Sequence, residues 1–403
     1  MKTQTIFTGN ELLIGQILNV NLKTIGTQWN QRGWELSASQ TVPDGLAAIG
    51  DALKIALEKA DCVILCGGLG ATSDDLTRQA VGGALDLEVA SCPEFRSELE
   101  SYMNERGRPQ SDCWYKIQSE CIAGAELLEN RTGLAPGQLI RIENKIIILL
   151  PGPPTEFNPM LEEQVLPRLA KNLESEFDQM TYLLMGKKES EVARACAPLE
   201  ITYPNVGFAY CANPSYLRLS LRVENDQDKK AIEDQCVALF GDSLIKGDSL
   251  EGELFRLIKN SEWTFASAES CTGGLIAAAM TDVPGASEIV QGGIVTYANE
   301  WKTKHLGVDQ SIVELEGVVS EACAKAMCEG LQAQFNVDCG VSVTGIAGPG
   351  GATEDKPVGL VYIGSFTPNG IEVSENYFRG DRQQVRQASV MKALDQLRRQ
   401  IIS

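Results

Sequence analysis

The first 170 residues alternate between short apolar runs and longer amphipathic stretches, and this alternation restricts the fold more than any other feature. The runs predict strands over Thr3–Phe7, Leu36–Val42, Cys62–Cys66 and Ile146–Leu150, and the stretches predict helices over Leu12–Trp29 and Leu46–Lys59. Strands that alternate with helices are connected by crossovers, which favour parallel pairing. We therefore predict an α/β domain with a mainly parallel sheet.

A glycine-rich turn follows the third of these strands. It begins with Gly67-Gly68-Leu69-Gly70 and leads to the paired carboxylates Asp74 and Asp75. Glycines let a phosphate approach the backbone, whereas carboxylates act on a phosphate only through a divalent cation. Capping of the next helix is the alternative, because the helix dipole favours Asp in a first turn. The Pro151–Pro154 loop is expected at the same sheet edge.

The pattern changes near Leu173 to a smaller α+β module without a catalytic constellation. Its predicted elements are the strands Thr181–Met185, Gly207–Cys211 and Leu217–Val223 and the helices Glu189–Ala197 and Gln227–Phe240. We interpret the module as a spacer or dimerisation element. A linker is predicted over Lys246–Leu250, so the expected domains are 1–172, 173–246 and 249–403.

The stretch Ala268-Glu269-Ser270-Cys271-Thr272-Gly273-Gly274 sets three possible nucleophiles before two glycines. A strand is predicted over Trp263–Ser267 and a helix over Leu275–Met280, which puts the nucleophile at a strand-to-helix turn. The N–H groups of Thr272, Gly273 and Gly274 would then be free to bind an anion or a developing oxyanion. Simple N-capping by a hydroxyl is the alternative interpretation.

Three further turns mark the last 115 residues. Tyr297 ends a predicted strand and Lys302 lies in a predicted helix over Asn299–Leu306, so we expect the two to be close. The strand Cys339–Thr344 runs into the glycine-rich loop Gly345–Gly351, and Arg382 precedes the terminal helix Gln383–Ile401. The alternatives are a core aromatic for Tyr297, a solvated helix face for Lys302 and a surface position for Arg382.

Composition removes several classes of function. The net charge of −19 argues against a nucleic-acid binder or a protein that binds anionic membranes. No apolar run is long enough to cross a bilayer, so we expect a cytoplasmic protein. His305 is the only histidine and is expected at an exposed helical position, so a catalytic base must be sought among Lys, Tyr, Asp and Glu. The twelve cysteines form no C-x-x-C pair and are expected to be reduced.

The motifs AESCTGG, GGIVTYANEWK, VSVTGIAGPGG with KPVG, and FRGDR resemble the CinA family in sequence and order. The N-terminal motifs GNELLIGQILNVN, GGLGATSDDLTR, TGLAPG and LPGPPTE resemble the same family. The resemblance implies a molybdopterin-binding-like three-layer domain, a KH-like middle domain and a C-terminal α/β nicotinamide mononucleotide deamidase domain. It also implies a metal-dependent ADP-ribose pyrophosphatase activity in the N-terminal domain.

The implied deamidation uses Ser270 as nucleophile and Lys302, helped by Tyr297, as base, and it needs no cofactor. The other implied sites are a substrate site of Thr272, Gly273, Gly274, Thr344, Gly345, Gly348 and Arg382, an N-terminal nucleotide site of Glu11, Gly67, Gly68, Gly70, Thr72, Thr77 and Gly152, and a divalent cation site of Asp74 and Asp75. We expect small-molecule nucleotides as ligands and a homodimer.

One position departs from the family pattern. Ala71 stands where the family usually has a proline, so the glycine-rich loop is expected to be less rigid.

Two other classes of function compete with the deamidase. One is a molybdopterin- or nucleotide-binding protein whose C-terminal domain is accessory, and the other is a non-enzymatic interaction partner in DNA uptake.

Overall fold

The computed structural model describes residues 1–170 and 177–403, which form two compact units, Met1–Gln179 and Met180–Ser403. The predicted domain boundary between residues 172 and 173 lies outside the described residues, and the three-domain division stays a prediction. None of the described helices combines the length and the apolar character that crossing a membrane requires.

Strands and helices alternate through most of the first unit, as predicted. Its strands are β1 Lys2–Thr8, β2 Glu35–Val42, β3 Cys62–Cys66, β4 Val89–Ser91, β5 Glu120–Ile122, β6 Glu126–Leu128, β7 Gly137–Ile142 and β8 Lys145–Leu150. Its helices are α1 Asn10–Leu13, α2 Val20–Gln31, α3 Leu46–Lys59, α4 Thr77–Leu85, α5 Pro93–Glu105, α6 Asp112–Gln118, α7 Pro154–Met160 and α8 Leu166–Ala170, with the π-helical turn Leu161–Val165 between the last two.

The main sheet of this unit has the order β2-β1-β3-β8-β7-β6. The first four strands pair in parallel, whereas β7 and β6 extend the sheet in antiparallel fashion. The predicted α/β class is therefore confirmed. Because β3 and β8 are parallel neighbours, their carboxyl ends meet at one edge, and the loops at Gly67 and Gly152 adjoin there as predicted.

The helix predicted over Leu12–Trp29 is wrong in its continuity. The chain forms a short α1, turns at Gly15 with φ at 74° and begins α2 only at Val20. The Asn19 side chain caps the new helix by accepting a hydrogen bond from the Leu22 N–H at 3.0 Å. The apolar spacing continued through this break, so periodicity alone did not reveal it.

The second unit contains two sheets, with the orders β10-β11-β9-β12 and β14-β13-β15-β16-β17. The strands are β9 Asp178–Met185, β10 Gly207–Ala212, β11 Tyr216–Val223, β12 Leu244–Lys246, β13 Phe265–Glu269, β14 Val290–Val295, β15 Cys339–Gly345, β16 Leu360–Thr367 and β17 Gly370–Tyr377. The helices are α9 Glu189–Thr202, α10 Asp226–Phe240, α11 Leu250–Asn260, α12 Leu275–Thr281, α13 Asn299–Leu306, α14 Gln310–Leu315, α15 Glu321–Phe335 and α16 Arg382–Ile402.

The start of the predicted linker is wrong, because Lys246 ends strand β12, which pairs with β9. The two sheets of the second unit also share one apolar cluster, in which Leu183 and Ile245 of the smaller sheet pack with Leu254 of α11 and Val341 of β15. The middle module therefore packs against the larger sheet in addition to being connected to it by the polypeptide chain.

Strands β14, β13 and β15 form the parallel part of the larger sheet, with β13 in the centre. Their carboxyl ends therefore open on one edge, where ligands of open α/β sheets bind. Ser270 follows β13, Tyr297 follows β14 and the Gly345–Gly351 loop follows β15. The fold brings these three predicted turns to this edge, and the hydrogen bonds of Arg382 to Tyr297 and Gly348 place the fourth there as well.

Candidate functional site

Ser270 and Lys302 meet at the centre of this edge. The Nζ atom of Lys302 lies 3.0 Å from Ser270 Oγ and donates a hydrogen bond to the Thr296 carbonyl oxygen at 3.0 Å. Lys302 is only 1% exposed, and Ser270 is 9% exposed. The alternative of a solvated helix face for Lys302 is therefore wrong, although the residue lies in the predicted helix.

Burial shifts the pKa of this lysine. Loss of solvent lowers the pKa of the Lys302 amine below its ordinary value. No salt bridge to Lys302 exists within the described part of the chain, and the groups next to Nζ are a hydroxyl and a carbonyl. A neutral amine in this position accepts a proton from the serine hydroxyl, so the pair has the geometry of a nucleophile and its base.

Glu269, directly before the serine, is fully buried and caps helix α12. Its carboxylate accepts hydrogen bonds from the N–H groups of Gly274 at 2.9 Å, Ile276 at 3.1 Å and Ala277 at 2.9 Å, and from the Ser267 hydroxyl at 3.0 Å. The negative charge lies at the positive end of the helix dipole, which stabilises it. Sequence reasoning missed this role, because the capping residue precedes the helix by six positions.

The cap changes the predicted oxyanion site. The Gly274 N–H is not free, since Glu269 accepts from it, and the Gly273 N–H donates to the Ser270 carbonyl at 3.1 Å. The prediction of three free donors is wrong for these two groups. Within the described residues the Thr272 N–H makes no hydrogen bond, and the buried Thr272 hydroxyl also has no partner. Thr272 is the donor that remains.

Cys271 is removed from solvent. Its side chain is 5% exposed and belongs to the apolar cluster beneath the sheet. Burial raises the pKa of its thiol to about 11. Because the thiolate is the reactive form of cysteine, this residue is a poor nucleophile near neutral pH.

The Tyr297 hydroxyl is bonded to Arg382 and not to the lysine. Its side chain is 57% exposed, and its hydroxyl accepts a hydrogen bond from Arg382 at 2.7 Å rather than from Lys302. Among the described residues Tyr297 makes no hydrogen bond to Lys302, although Lys302 contacts the carbonyl of Thr296, the residue directly before Tyr297. The alternative of a core aromatic is wrong. Arg382 also donates to the Gly348 carbonyl at 2.9 Å, so one guanidinium joins the tyrosine to the glycine-rich loop.

Thr344 does not face the opening of the site. It is 1% exposed, and its hydroxyl donates to the Val318 carbonyl at 2.6 Å. The neighbouring Lys356 of the KPVG motif donates to the carbonyls of Glu316 and Val319, both at 2.7 Å. These bonds fix the 316–319 turn beside the glycine-rich loop, so Thr344 supports the site rather than lining it.

Arg386 is a functional candidate that sequence reasoning missed. Its guanidinium donates to the carbonyls of Cys271 at 3.1 Å and Thr272 at 2.8 Å, which holds the turn that carries the serine. The signal was present in the sequence. Arg386 follows Arg382 by four residues in helix α16, and side chains at that spacing share one helix face.

A cavity of 470 Å³ lies at the corresponding edge of the first unit's sheet. The predicted residues that line it are Glu11, Gly67, Gly68, Gly70, Asp74, Asp75 and Gly152. Thr72 and Thr77 are absent from its lining. The Thr77 hydroxyl instead donates to the Gly67 carbonyl at 2.8 Å and so supports the loop from behind.

The glycine turn requires its glycines. Gly67 and Gly68 have φ values of 105° and 65°, and a Cβ on Gly68 would lie 2.4 Å from Thr77 Oγ1. The fully buried Arg78 donates to the carbonyls of Leu69 at 2.6 Å and Gly70 at 2.7 Å. Its interior position lowers the pKa of its guanidinium. Arg78 was also missed as a loop anchor.

The carboxylates of this cavity are exposed or hydrogen-bonded. Asp75 accepts from the Thr72 N–H at 2.9 Å and hydroxyl at 2.6 Å, and a hydrogen bond from Thr72 also lowers the pKa of Asp74. No group of three or more His, Cys, Asp or Glu side chains at metal-binding spacing occurs in the described residues. The pair therefore fits a cation such as Mg²⁺ only if phosphate oxygens and water complete its coordination.

Comparison with known proteins covers the whole chain. Residues 247–401 match the profile of the CinA C-terminal domain, and residues 4–171 match that of the probable molybdopterin binding domain. A relative from Caldicellulosiruptor saccharolyticus, named competence-damage inducible protein, is 38% identical over 100% of both chains. A relative of the same name from Moorella thermoacetica is 38% identical over 98% of this chain and 97% of its own.

Among solved structures, the competence/damage inducible protein CihA from Agrobacterium tumefaciens is 38% identical, covers 39% of this chain and 98% of its own, and superposes with a TM-score of 0.36. The full-length sequence relatives decide the assignment, since they match this chain from end to end at more than a third identity. The chain belongs to the CinA family.

Proposed function

We propose that the C-terminal part of the chain hydrolyses the carboxamide of nicotinamide mononucleotide to nicotinate mononucleotide and ammonia. The observation that carries this proposal is the buried Lys302 amine 3.0 Å from Ser270 Oγ. A serine becomes a nucleophile when an adjacent base takes its proton, and a lysine acts as that base when burial keeps it neutral. The resemblance to CinA deamidases supplies the substrate.

The proposed first step is attack of Ser270 Oγ on the carboxamide carbon while the hydroxyl proton moves to Lys302 Nζ. The carbonyl oxygen becomes an oxyanion, and the proposed donor is the N–H of Thr272, which makes no hydrogen bond among the described residues. Collapse of this intermediate breaks the C–N bond. Lys302 returns its proton to the leaving nitrogen, so ammonia departs and an ester on Ser270 remains.

Water completes the reaction. Lys302, again neutral, takes a proton from the water that attacks the ester carbonyl, and the ester bond to Ser270 Oγ then breaks. The proton on Lys302 returns to Ser270, the remaining proton of the water is released to solvent, and nicotinate mononucleotide leaves as the carboxylate. No step needs a metal or another cofactor.

Arg382 is the proposed partner of the substrate phosphate. Its guanidinium lies at the start of helix α16, where it is oriented by Tyr297 and the carbonyl of Gly348. Guanidinium groups bind phosphate through two parallel hydrogen bonds, and a fixed orientation reduces the entropy lost on binding. The role of Tyr297 in this proposal is to position Arg382 rather than to assist Lys302.

The test is ammonia release from nicotinamide mononucleotide by the purified full-length protein. We expect turnover by the wild type and loss of turnover in Ser270→Ala and in Lys302→Met. Absence of ammonia release from the wild type over a range of pH would reject this substrate. We further expect the protein to act in the cytoplasm on small-molecule nucleotides. We also expect it to be a homodimer, and size-exclusion chromatography of the purified protein checks that oligomeric state.

A second function is favoured by the cavity of the first unit. We propose that it binds a diphosphate through a divalent cation, and that hydrolysis of ADP-ribose is its reaction. The glycine turn and the pair Asp74 and Asp75 line one cavity, which is the arrangement that such a ligand needs. Cation-dependent release of AMP from ADP-ribose tests it.

A further inference from the structure

Two partly buried cysteines of the first unit contact each other outside both proposed sites. Cys92 directly follows strand β4, and Cys121 is the middle residue of β5. Both are free thiols in this structure. The Cys121 sulfur lies next to the backbone N–H and the thiol of Cys92. Neither residue takes part in the chemistry proposed for the two sheet edges.

The pairing of β4 with β5 brings these two thiols together. Cys121 lies opposite Ala90 in the antiparallel ladder. The Cys92 N–H extends the ladder by donating to the Ser119 carbonyl at 2.8 Å. Because Cys92 and Ala90 are two residues apart, the side chains of Cys92 and Cys121 leave the same face of the paired strands. The two cysteines are therefore diagonal neighbours on one face.

The backbone around each cysteine is fixed. The Cys121 thiol donates to the Ser119 carbonyl at 3.4 Å. The Cys92 carbonyl accepts from the Arg96 N–H at 2.9 Å in the first turn of α5, so Cys92 is tied to a helix as well as to the ladder. A disulfide requires two backbones that are close and side chains directed at each other. The contact between the two sulfurs meets this requirement before any bond forms.

The two thiols differ in their access to small molecules. Cys92 lines a cavity of 610 Å³ between α5 and the segment 127–136, and Cys121 is absent from the described lining of that cavity. Burial raises the pKa of the Cys121 thiol to about 12, and the positive charge of Arg78 opposes this rise only in part. An oxidant that enters the cavity therefore reaches Cys92 first. Cys121 lies where a resolving thiol is found beside redox-sensitive cysteines.

We propose that Cys92 and Cys121 are a redox site at which a hydroperoxide forms a reversible disulfide. In the first step the Cys92 sulfur attacks one oxygen of hydrogen peroxide, and the O–O bond breaks. This leaves a sulfenic acid on Cys92, while the departing hydroxide and the thiol proton form water.

The second step forms the disulfide. The Cys121 sulfur attacks the sulfenic sulfur of Cys92, the S–O bond breaks, and the hydroxide leaves with the Cys121 proton as water. Two thiols are thus oxidised to one disulfide, and one peroxide is reduced to two molecules of water. A thiol reductant restores both cysteines by thiol–disulfide exchange.

The test is mass spectrometry of the full-length protein after treatment with hydrogen peroxide and digestion without a reductant. We expect the wild type to give a linked pair of peptides that contains Cys92 and Cys121, and dithiothreitol to release both thiols. Cys121→Ser lacks the resolving thiol and should accumulate the sulfenic acid. Labelling of Cys92 by dimedone should therefore be at least about tenfold stronger in Cys121→Ser than in the wild type.

Cys113→Ser removes an exposed cysteine of α6 and is the matched control, which should form the same linkage as the wild type. Three results would overturn the inference: a wild type without the linkage, a disulfide that joins two chains instead, and equal dimedone labelling of Cys92 in the wild type and in folded Cys121→Ser. Circular dichroism checks the folding of the variants. The linkage in the wild type is measured without any substitution and decides the proposal even if a variant unfolds.

Discussion

The two sites lie at equivalent sheet edges but use opposite solvent environments. In the second unit, Lys302 and Ser270 are removed from water, and burial lowers the pKa of the lysine amine. In the first unit, Asp74 is exposed, and a hydrogen bond from Thr72 lowers the pKa of its carboxyl. Burial at one edge thus favours the neutral form of a lysine, and the other edge presents negative charge that a cation would balance. The two proposed chemistries therefore differ because the reacting groups are buried in one site and exposed in the other, and not because of their position in the fold.

The largest expected effect is on the nucleophile. Ser270→Ala removes the only hydroxyl in contact with Lys302 Nζ among the described residues, so we expect ammonia release to fall about 10⁴-fold or more. The measurement is single-turnover and steady-state ammonia release, with circular dichroism as the control for folding. A variant that keeps more than a tenth of wild-type turnover would remove Ser270 from the reaction.

The next effect is on the base. Lys302→Met keeps an unbranched, largely apolar side chain in a buried position and removes the amine, so we expect roughly a 10³-fold loss of kcat with folding retained. Lys304→Met, at an exposed position two residues further along the same helix, is the matched control and should be nearly silent. Equal losses in the two variants would refute a specific role for Lys302.

Several elements of the fold and of the site were predictable from the sequence. The helix Leu46–Lys59, the strand Cys62–Cys66 and the helix Asn299–Leu306 have the predicted bounds, because periodicity and turn residues agree there. The nucleophile turn and the adjoining glycine loops were also located, since strand ends of a parallel sheet converge on one edge. The roles assigned to Ser270 and Arg382 stay predictions.

Other parts depend on contacts that no local pattern encodes. Lys302 reads as a surface residue of a polar helix, and only packing against α15 and the turn at Thr296 buries it. Tyr297 and Arg382 lie 85 residues apart, so their hydrogen bond was not predictable from spacing. The cap by Glu269 was hidden because the carboxylate reaches past the whole glycine turn to the helix.

A third prediction is that only the site of the first unit depends on a divalent cation. Asp75→Asn should reduce cation-dependent AMP release from ADP-ribose by at least about 10-fold, because an amide binds a hard cation more weakly than a carboxylate. The Thr72 contacts can persist through the amide oxygen. Ammonia release should not change, and treatment with EDTA should abolish AMP release alone.

Asp234→Asn on the exposed face of α10 is the control for this loss of charge. Loss of both activities in folded Asp75→Asn would show that the two chemistries depend on one site. Loss of ammonia release on chelation, with recovery on adding a divalent cation, would contradict the cofactor-free deamidase.

The smallest expected effect is at Cys271. The thiol is buried with a pKa raised to about 11, so alkylation by iodoacetamide should be slow, and Cys271→Ala should change turnover less than about threefold. Ammonia release before and after alkylation is the measurement. If Cys271→Ala is inactive while Ser270→Ala turns over, the nucleophile is the cysteine.

The central claim is that Lys302 is neutral when Ser270 reacts, and a titration of its amine tests it most directly. Lysine labelled with ¹³C at Cε gives one resonance per residue, and Lys302→Met identifies the resonance of Lys302 by its loss. Because burial lowers the pKa of this amine, we predict that it titrates at lower pH than the other lysines. We also predict that kcat/KM falls as pH decreases through the same midpoint. A Lys302 resonance that titrates together with the exposed lysines would contradict the account.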